Sequence, residues 1–233
     1  MKKLLVFDLD GTLAPYGAGT LPADAERLRQ LERDGYGIVL CSGKPCNYLC
    51  GFARQFSLQR PMMVGECGAS LQIGVELPPE YHAVCDHSEK AAEQLRMLRQ
   101  RIDEACGEDI WVQPNLLEVT PFPYHAETFD IIQGIVDELG NAVDEVLTYR
   151  HRDCFDFLPN NINKAVGLQK LLDILGMTAE DIIAFGDSIN DLPMLDFAGI
   201  SVGIGDHLHY KPDYLFDTIS EALANVENLE VKQ

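Results

Sequence analysis

Residues 4–13 read Leu4-Leu5-Val6-Phe7-Asp8-Leu9-Asp10-Gly11-Thr12-Leu13. An apolar run of strand-forming residues stops at two acids, and a glycine and a hydroxyl residue follow at once. A short apolar run bounded by turn residues predicts a strand buried on both faces, as in a parallel sheet. Ligands in such sheets bind at the carboxyl ends of the strands. If the chain stays extended through Leu9, Asp8 and Asp10 point the same way and Leu9 points back to the core. Two like charges side by side in a buried place are costly unless a cation or a proton compensates them. The stretch therefore calls for a metal ion, a catalytic acid, or both.

Working outward, the first section alternates strand and helix. A helix opens at Leu21-Pro22 and ends at Asp34-Gly35. Tyr36 to Cys41 reads as a second strand, closed by Ser42-Gly43. A helix is predicted from Pro45 to Phe56 and a third strand at Pro61 to Val64. This alternation implies a parallel sheet with right-handed crossovers.

The middle reads differently. Ser70 to Leu77 looks like strand and turn. Ser88 caps a long helix through Cys106, and a second helix runs from Ala126 to Leu139. Short strands are expected at Trp111 to Gln113, Leu116 to Thr120, Val146 to Arg150 and Cys154 to Leu158. That pattern predicts a small antiparallel sheet with helices on one face. Alternation returns with a helix from Asn163 to Leu175, a strand from Asp181 to Phe185, a helix from Ile189 to Ala198, short strands at Ile200 to Val202 and Tyr214 to Phe216, and a helix from Ser220 to Val226. The expected fold is α/β: a Rossmann-like parallel-sheet core with helices on both faces, residues 1–68 and 156–233, and an inserted α+β cap domain, residues 69–155.

The chain has 233 residues, 46% of them apolar, and a formal charge of −19. An acidic surface of this kind repels nucleic acid and anionic membranes, so neither is an expected partner. No apolar run is long enough to span a bilayer, and Asp8 interrupts the N-terminal apolar stretch, against a signal peptide. Seven scattered cysteines without a Cys-x-x-Cys pair read as reduced thiols of a cytoplasmic protein. Cys46 and Cys50 would share a helix face, but no further ligand lies at zinc-like spacing, so the cysteines are expected to be buried small side chains.

Four short motifs fall at element ends: Asp8-Leu9-Asp10-Gly11-Thr12, Ser42-Gly43, Lys164, and Gly186-Asp187-Ser188-Ile189-Asn190-Asp191. A lysine in the first turn of a helix opposes the helix dipole and needs a reason, which a neighbouring carboxylate and phosphate would supply. Oxygen-only ligands such as Asp187 and Asp191 suit Mg²⁺. Together, and in this order, the motifs resemble those of the haloacid dehalogenase-like superfamily. The section between the second and third resembles the inserted cap of its Cof-type branch, which includes sugar-phosphate phosphatases, archaeal-type phosphoglycolate phosphatase and phosphomannomutase.

The resemblance implies a Mg²⁺-dependent phosphatase acting on a small phosphorylated metabolite. Asp8 would be the nucleophile and form an aspartyl-phosphate, and Asp10 the general acid and base. Asp8, Asp10 (through its carbonyl), Asp187 and Asp191 would hold the metal, the last through water or by orienting the site. Thr12, Ser42, Gly43, Lys164 and Asn190 would bind phosphate or substrate. Ala165 departs from the glycine many relatives carry after this lysine, and Cys67 from the asparagine usual in Glu66-Cys67-Gly68-Ala69, a segment expected to act as a hinge. Lys44 is expected to be solvated. In the cap, Arg150 and Arg152 would share one face if extended and could receive a second anionic group. A phosphomutase is the alternative enzyme reading. A non-catalytic phospholigand sensor is disfavoured because Asp8, Asp10 and Lys164 are all present. Phosphonate cleavage through a Schiff-base lysine is disfavoured because Lys90 is the cap's only lysine.

Overall fold

The computed structural model describes residues 1–205 and 210–230; residues 206–209 and 231–233, part of the expected core range, lie outside it. In chain order the first elements are β1 (Leu4–Phe7), α1 (Pro22–Arg33), β2 (Gly37–Cys41), α2 (Cys46–Gln55), β3 (Met62–Gly65), β4 (Ser70–Ile73) and β5 (Tyr81–Val84). Then follow α3 (Glu89–Cys106), β6 (Ile110–Val112), β7 (Pro121–Pro123), α4 (Ala126–Leu139), β8 (Val146–Arg150) and β9 (Phe155–Pro159). The last are α5 (Lys164–Leu175), β10 (Ile182–Gly186), α6 (Leu192–Phe197), β11 (Ile200–Ile204), β12 (Tyr214–Phe216) and α7 (Ile219–Ala224).

The chain divides into two compact units, one of residues 1–83 with 163–233, the other of residues 84–162. The first is built on a sheet of order β12-β11-β10-β1-β2-β3-β4-β5. From β12 to β3 the pairs are parallel, and β4 turns back antiparallel on β3. These units change over after residues 83 and 162, where the expected ranges changed after 68 and 155. Ser70–Ile73 belongs to the core sheet, because its residues find their partners on β3 and not among the short strands downstream.

The middle strands are fully buried, and β1, β2, β10 and β11 expose almost nothing. Rows of Leu, Ile, Val and Phe therefore face both ways, as a doubly covered sheet requires. On one face Leu5, Phe7, Leu40 and Phe185 pack with Leu28 and Leu31 of α1, Leu49 of α2 and Leu223 of α7. Helices α5 and α6 pack against each other, α5 on β3 and β4 and α6 on β10 and β11. The rings of Phe7 and Phe185 stack at 4.6 Å between centroids.

The inserted unit pairs β6 with β7 and β8 with β9, both antiparallel, with a bridge from Val119 to Phe157. Its core joins Leu95, Leu98 and Ile102 of α3, Ile132 and Ile135 of α4, and Phe155 and Phe157 of β9. Both helices thus cover one face of the strands. The strand expected over Leu116 to Thr120 shrinks to the single bridge at Val119, and the pairing passes to Pro121–Pro123. Prolines are tolerated in so short a piece because few ladder donors are needed. Among the described residues no helix is long and apolar enough to cross a membrane, and no cysteine is bridged.

Candidate active site

Register puts the motifs together. Phe7 stands beside Phe185 on β10 and Leu40 on β2, so Asp8, Gly186 and Cys41-Ser42 all leave the sheet at the same edge. The amide of Asp8 donates to the carbonyl of Phe185, 2.9 Å away. The chain then curls: Leu13 and Ala14 donate to the carbonyls of Asp8 and Leu9, and Gly11 to that of Ala14. Leu9 is buried in the core, as alternation predicts. Asp8 is 5% exposed, whereas the Asp10 side chain is 45% exposed.

Lys164 closes the constellation. Asn163 caps α5 by accepting from the Val166 amide, which fixes the lysine in the first turn. Its ammonium, 1% exposed as a residue, donates to Asp8 Oδ1 at 2.6 Å and Asp191 Oδ1 at 2.5 Å. Burial opposes the charge of this lysine, but Asp191 and Asp8 outweigh it and hold the ammonium protonated well above its ordinary range. Gly68 lets α5 come this near. It has φ +105, and a Cβ there would lie 2.1 Å from the Asn163 carbonyl oxygen.

Asp191 is fully buried. One oxygen meets Lys164, and the other accepts from the amides of Asp187 and Ser188, each at 3.0 Å, and from the Ser188 hydroxyl. It is therefore the anchor of the 186–191 turn as well as a partner of the lysine. Asn190 accepts from the Ser188 hydroxyl at 2.6 Å and orders the same turn. Thr12, expected on phosphate, donates its buried hydroxyl to Asp187 Oδ1 at 3.1 Å. It thus positions a carboxylate.

Oxygens of Asp8, Asp187 and Asp191 lie within 4.8 Å of one another. Desolvation first, and Asp191 next, push the Asp8 carboxyl up to about 8 and that of Asp187 up to about 6. Three buried carboxylates against one ammonium leave excess negative charge, and an all-oxygen donor set suits a hard divalent cation such as Mg²⁺. The residues present therefore fit the expected metal.

Ser42 is buried, and its hydroxyl accepts from the Lys44 amide at 3.3 Å; its carbonyl accepts from the Cys67 amide. Gly43 follows in the same turn. The segment Glu66–Gly68, expected as a hinge, is a buried turn bonded to the Ser42 and Lys44 carbonyls, with left-handed backbone at Glu66 and Cys67. Asparagine tolerates that conformation better than most residues, and Cys67 adopts it here.

One residue departs from the sequence reading and one lay outside it. Lys44, expected in solvent, lies 3.3 Å from Asp10 Oδ2. Tyr16 lines a hollow with Gly11, Thr12 and Asp187. Partial desolvation and the carboxylates of Asp187, Asp8, Asp10 and Asp191 raise its hydroxyl above the usual tyrosine range. Neither had a signal in sequence, since a surface lysine and a tyrosine after proline are commonplace.

The arginines of the inserted unit behave differently from the expectation. β8 ends at Arg150, and Arg152 lies in the bend that follows, so the two do not continue one extended face. The Arg150 guanidinium sits over the rings of Phe129 and Phe155, 5.8 and 5.5 Å from their centroids, and donates to Gln133. It is engaged in packing within its own unit.

The family model for haloacid dehalogenase-like hydrolases matches residues 5–76 and 115–208, which contain all four motifs. The chain belongs to the haloacid dehalogenase-like hydrolase family. It is 27% identical over 207 residues to a phosphoglycolate phosphatase of Nitrosopumilus maritimus, covering 88% of this chain and 84% of the other. It is also 27% identical over 243 residues to 5-amino-6-(5-phospho-D-ribitylamino)uracil phosphatase YitU of Bacillus subtilis, covering 87% and 86%. Its fold matches a haloacid dehalogenase-like hydrolase from Bacteroides thetaiotaomicron with TM-score 0.75 at 20% identity, over 97% of this chain and all of the other. A subclass IIB sugar phosphatase matches with TM-score 0.71 at 19% identity, over 97% and 100%. The chain is thus an enzyme of this family, with the α/β core and α+β insertion expected for it.

Proposed function

We propose that this haloacid dehalogenase-like hydrolase is a Mg²⁺-dependent phosphatase that hydrolyses a small phosphorylated metabolite, a sugar phosphate or a phosphoglycolate-like acid, through an aspartyl-phosphate. The observation that carries the reading is the buried ammonium of Lys164 shared by Asp8 and Asp191, with Asp187 in the same oxygen cluster. The names of the phosphatases it matches over most of their length support it.

Asp8, Asp187 and the carbonyl of Asp10 would hold the metal, while Asp191 keeps Lys164 and the 186–191 turn in place. Bound Mg²⁺ supplies positive charge that lets an anionic phosphate approach an anionic nucleophile. Asp8 attacks phosphorus and the ester P–O bond breaks. Asp10 gives its proton to the departing alcohol oxygen. It then takes one from the water that attacks the aspartyl-phosphate, and cleavage of the P–O bond to Asp8 releases inorganic phosphate. Lys164 and Ser42 stabilise charge on the phosphoryl oxygens. Lys44 beside Asp10 holds that carboxyl near the leaving group. Arg152, exposed in its bend, remains the candidate for a second anionic group of the substrate, since Arg150 is occupied over Phe129 and Phe155.

Free phosphate is measured over a panel of phosphorylated metabolites with Mg²⁺. Release from at least one small phosphomonoester is expected, with complete loss in EDTA and recovery on adding Mg²⁺. Turnover that persists in EDTA, or sugar isomerised without phosphate release, would overturn the reading. A finer check uses Gly11. With φ +95, it leaves room for Asp187: a Cβ there would lie 2.3 Å from Asp187 Oδ2. Gly11→Ala should raise the Mg²⁺ concentration for half-maximal activity by about 10-fold or more, the scale of disturbed ligand support. An unchanged Mg²⁺ curve would remove Asp187 from the metal set.

A further inference from the structure

The β8–β9 hairpin gathers three side chains that the phosphatase reaction does not use. Arg150 pairs with Phe155, and the next pair outward is His151 with Cys154, joined by the His151 amide donating to the Cys154 carbonyl at 2.9 Å. Residues opposite one another in an antiparallel pair point to the same face, and Asp156, two residues beyond Cys154, points there too. Arg150, Phe155 and Phe157 take the other face, where Phe155 and Phe157 join the helices in the apolar core. Ligand atoms of His151, Cys154 and Asp156 accordingly lie within 4.8 Å of one another.

A second observation concerns the imidazole. His151 Nε2 is shielded from solvent and makes no hydrogen bond, although Asp156 Oδ2 is only 2.9 Å away. The two atoms stand in close ion-pair contact, with no hydrogen bond to the His151 nitrogen. A shielded polar atom without a hydrogen bond carries a cost of about 1–3 kcal/mol. Two ligands of one metal ion stand in this relation, close together without a hydrogen bond between them. Nitrogen and oxygen ligands about 2.0–2.2 Å from one tetrahedral ion lie roughly 3.3–3.6 Å apart, so a bound ion would spread these two atoms by about half an ångström from their 2.9 Å.

We propose that His151, Cys154 and Asp156 form a binding site for one divalent transition-metal ion of the Zn²⁺ class. The donor set of imidazole nitrogen, thiolate sulfur and one carboxylate oxygen is softer than the all-oxygen cluster around Asp8, and so selects a different metal. Three protein ligands leave a fourth tetrahedral position for water or an anionic group, as in open zinc sites. The ion would clamp the two strands together at the end of their hairpin. The site lies wholly within residues 84–162 and is independent of the phosphatase assignment.

Co²⁺ alone serves as the probe. The full chain, kept in excess Mg²⁺ to occupy the oxygen cluster, is titrated with Co²⁺. One equivalent should produce a thiolate-to-cobalt charge-transfer band and the intense visible bands of a tetrahedral ion, and Zn²⁺ should abolish both. Cys154→Ser should remove the charge-transfer band, and Cys50→Ser, at the least buried cysteine, should leave it unchanged. His151→Gln, at a partly exposed position, should weaken Co²⁺ binding at least about 100-fold. A charge-transfer band that survives Cys154→Ser, an unchanged affinity in His151→Gln, or no band at millimolar Co²⁺ would overturn the site.

Discussion

Asp8→Asn is expected to lower kcat by at least about four orders of magnitude, measured as phosphate release under saturating Mg²⁺. An amide cannot replace a carboxylate as nucleophile, and loss of a covalent catalyst costs on the order of 10⁴–10⁶ in rate. The fold should not suffer. Asp8 is one of three buried carboxylates around a single ammonium, and neutralising it relieves repulsion, while Lys164 keeps Asp191 as partner. The metal-free thermal midpoint should therefore stay level or rise. That separates loss of chemistry from loss of structure. Near-normal turnover in this variant would end the assignment of the nucleophile, and with it the aspartyl-phosphate mechanism.

Lys164→Met should damage both activity and stability. The ammonium is buried and meets two carboxylates at 2.6 and 2.5 Å. Its removal leaves them without compensation, and breaking a buried ion pair from one side costs about 3–5 kcal/mol. The charge that offsets the phosphoryl oxygens is lost as well, so kcat should fall by at least about 10²–10³. The double variant Lys164→Met/Asp191→Asn tests whether the two losses are separable. It should recover stability, seen as a denaturation midpoint closer to wild type, yet recover no turnover. Stability unchanged in the single variant would mean that Asp8 and Asp191 do not depend on this lysine.

Much of the architecture was legible because its signals are local. Helix α4 runs from Ala126 to Leu139, the range expected, and ends at Gly140. Helix α3 starts after Ser88, whose hydroxyl accepts from the Ala91 amide. Strand β1 stops where Asp8 interrupts the apolar run. The misread pieces depend on distant partners. Ser70–Ile73 has ordinary strand character, and only β3 makes it part of the core sheet. Tyr81–Val84 extends the same edge and carries too little pattern to be seen alone.

The site divides along the same line. The roles of the groups came from the family resemblance, but residue order alone singled out the groups themselves: paired acids at a strand end, a turn of aspartates opened by Gly186, and a lysine placed against its helix dipole. Those are statements about single segments, and backbone periodicity and capping chemistry determine them. Only the folded chain decided which partner each group takes. Thr12 turns to Asp187, Asp191 divides itself between Lys164 and its own turn, Lys44 pairs with the half-exposed Asp10, and Arg150 lies on aromatic rings. Such choices depend on which charges the folded chain brings together, whether 175 residues apart, as Thr12 and Asp187, or 27, as Lys164 and Asp191. Coulombic and desolvation energies there follow distance and burial, neither of which is written in any local pattern.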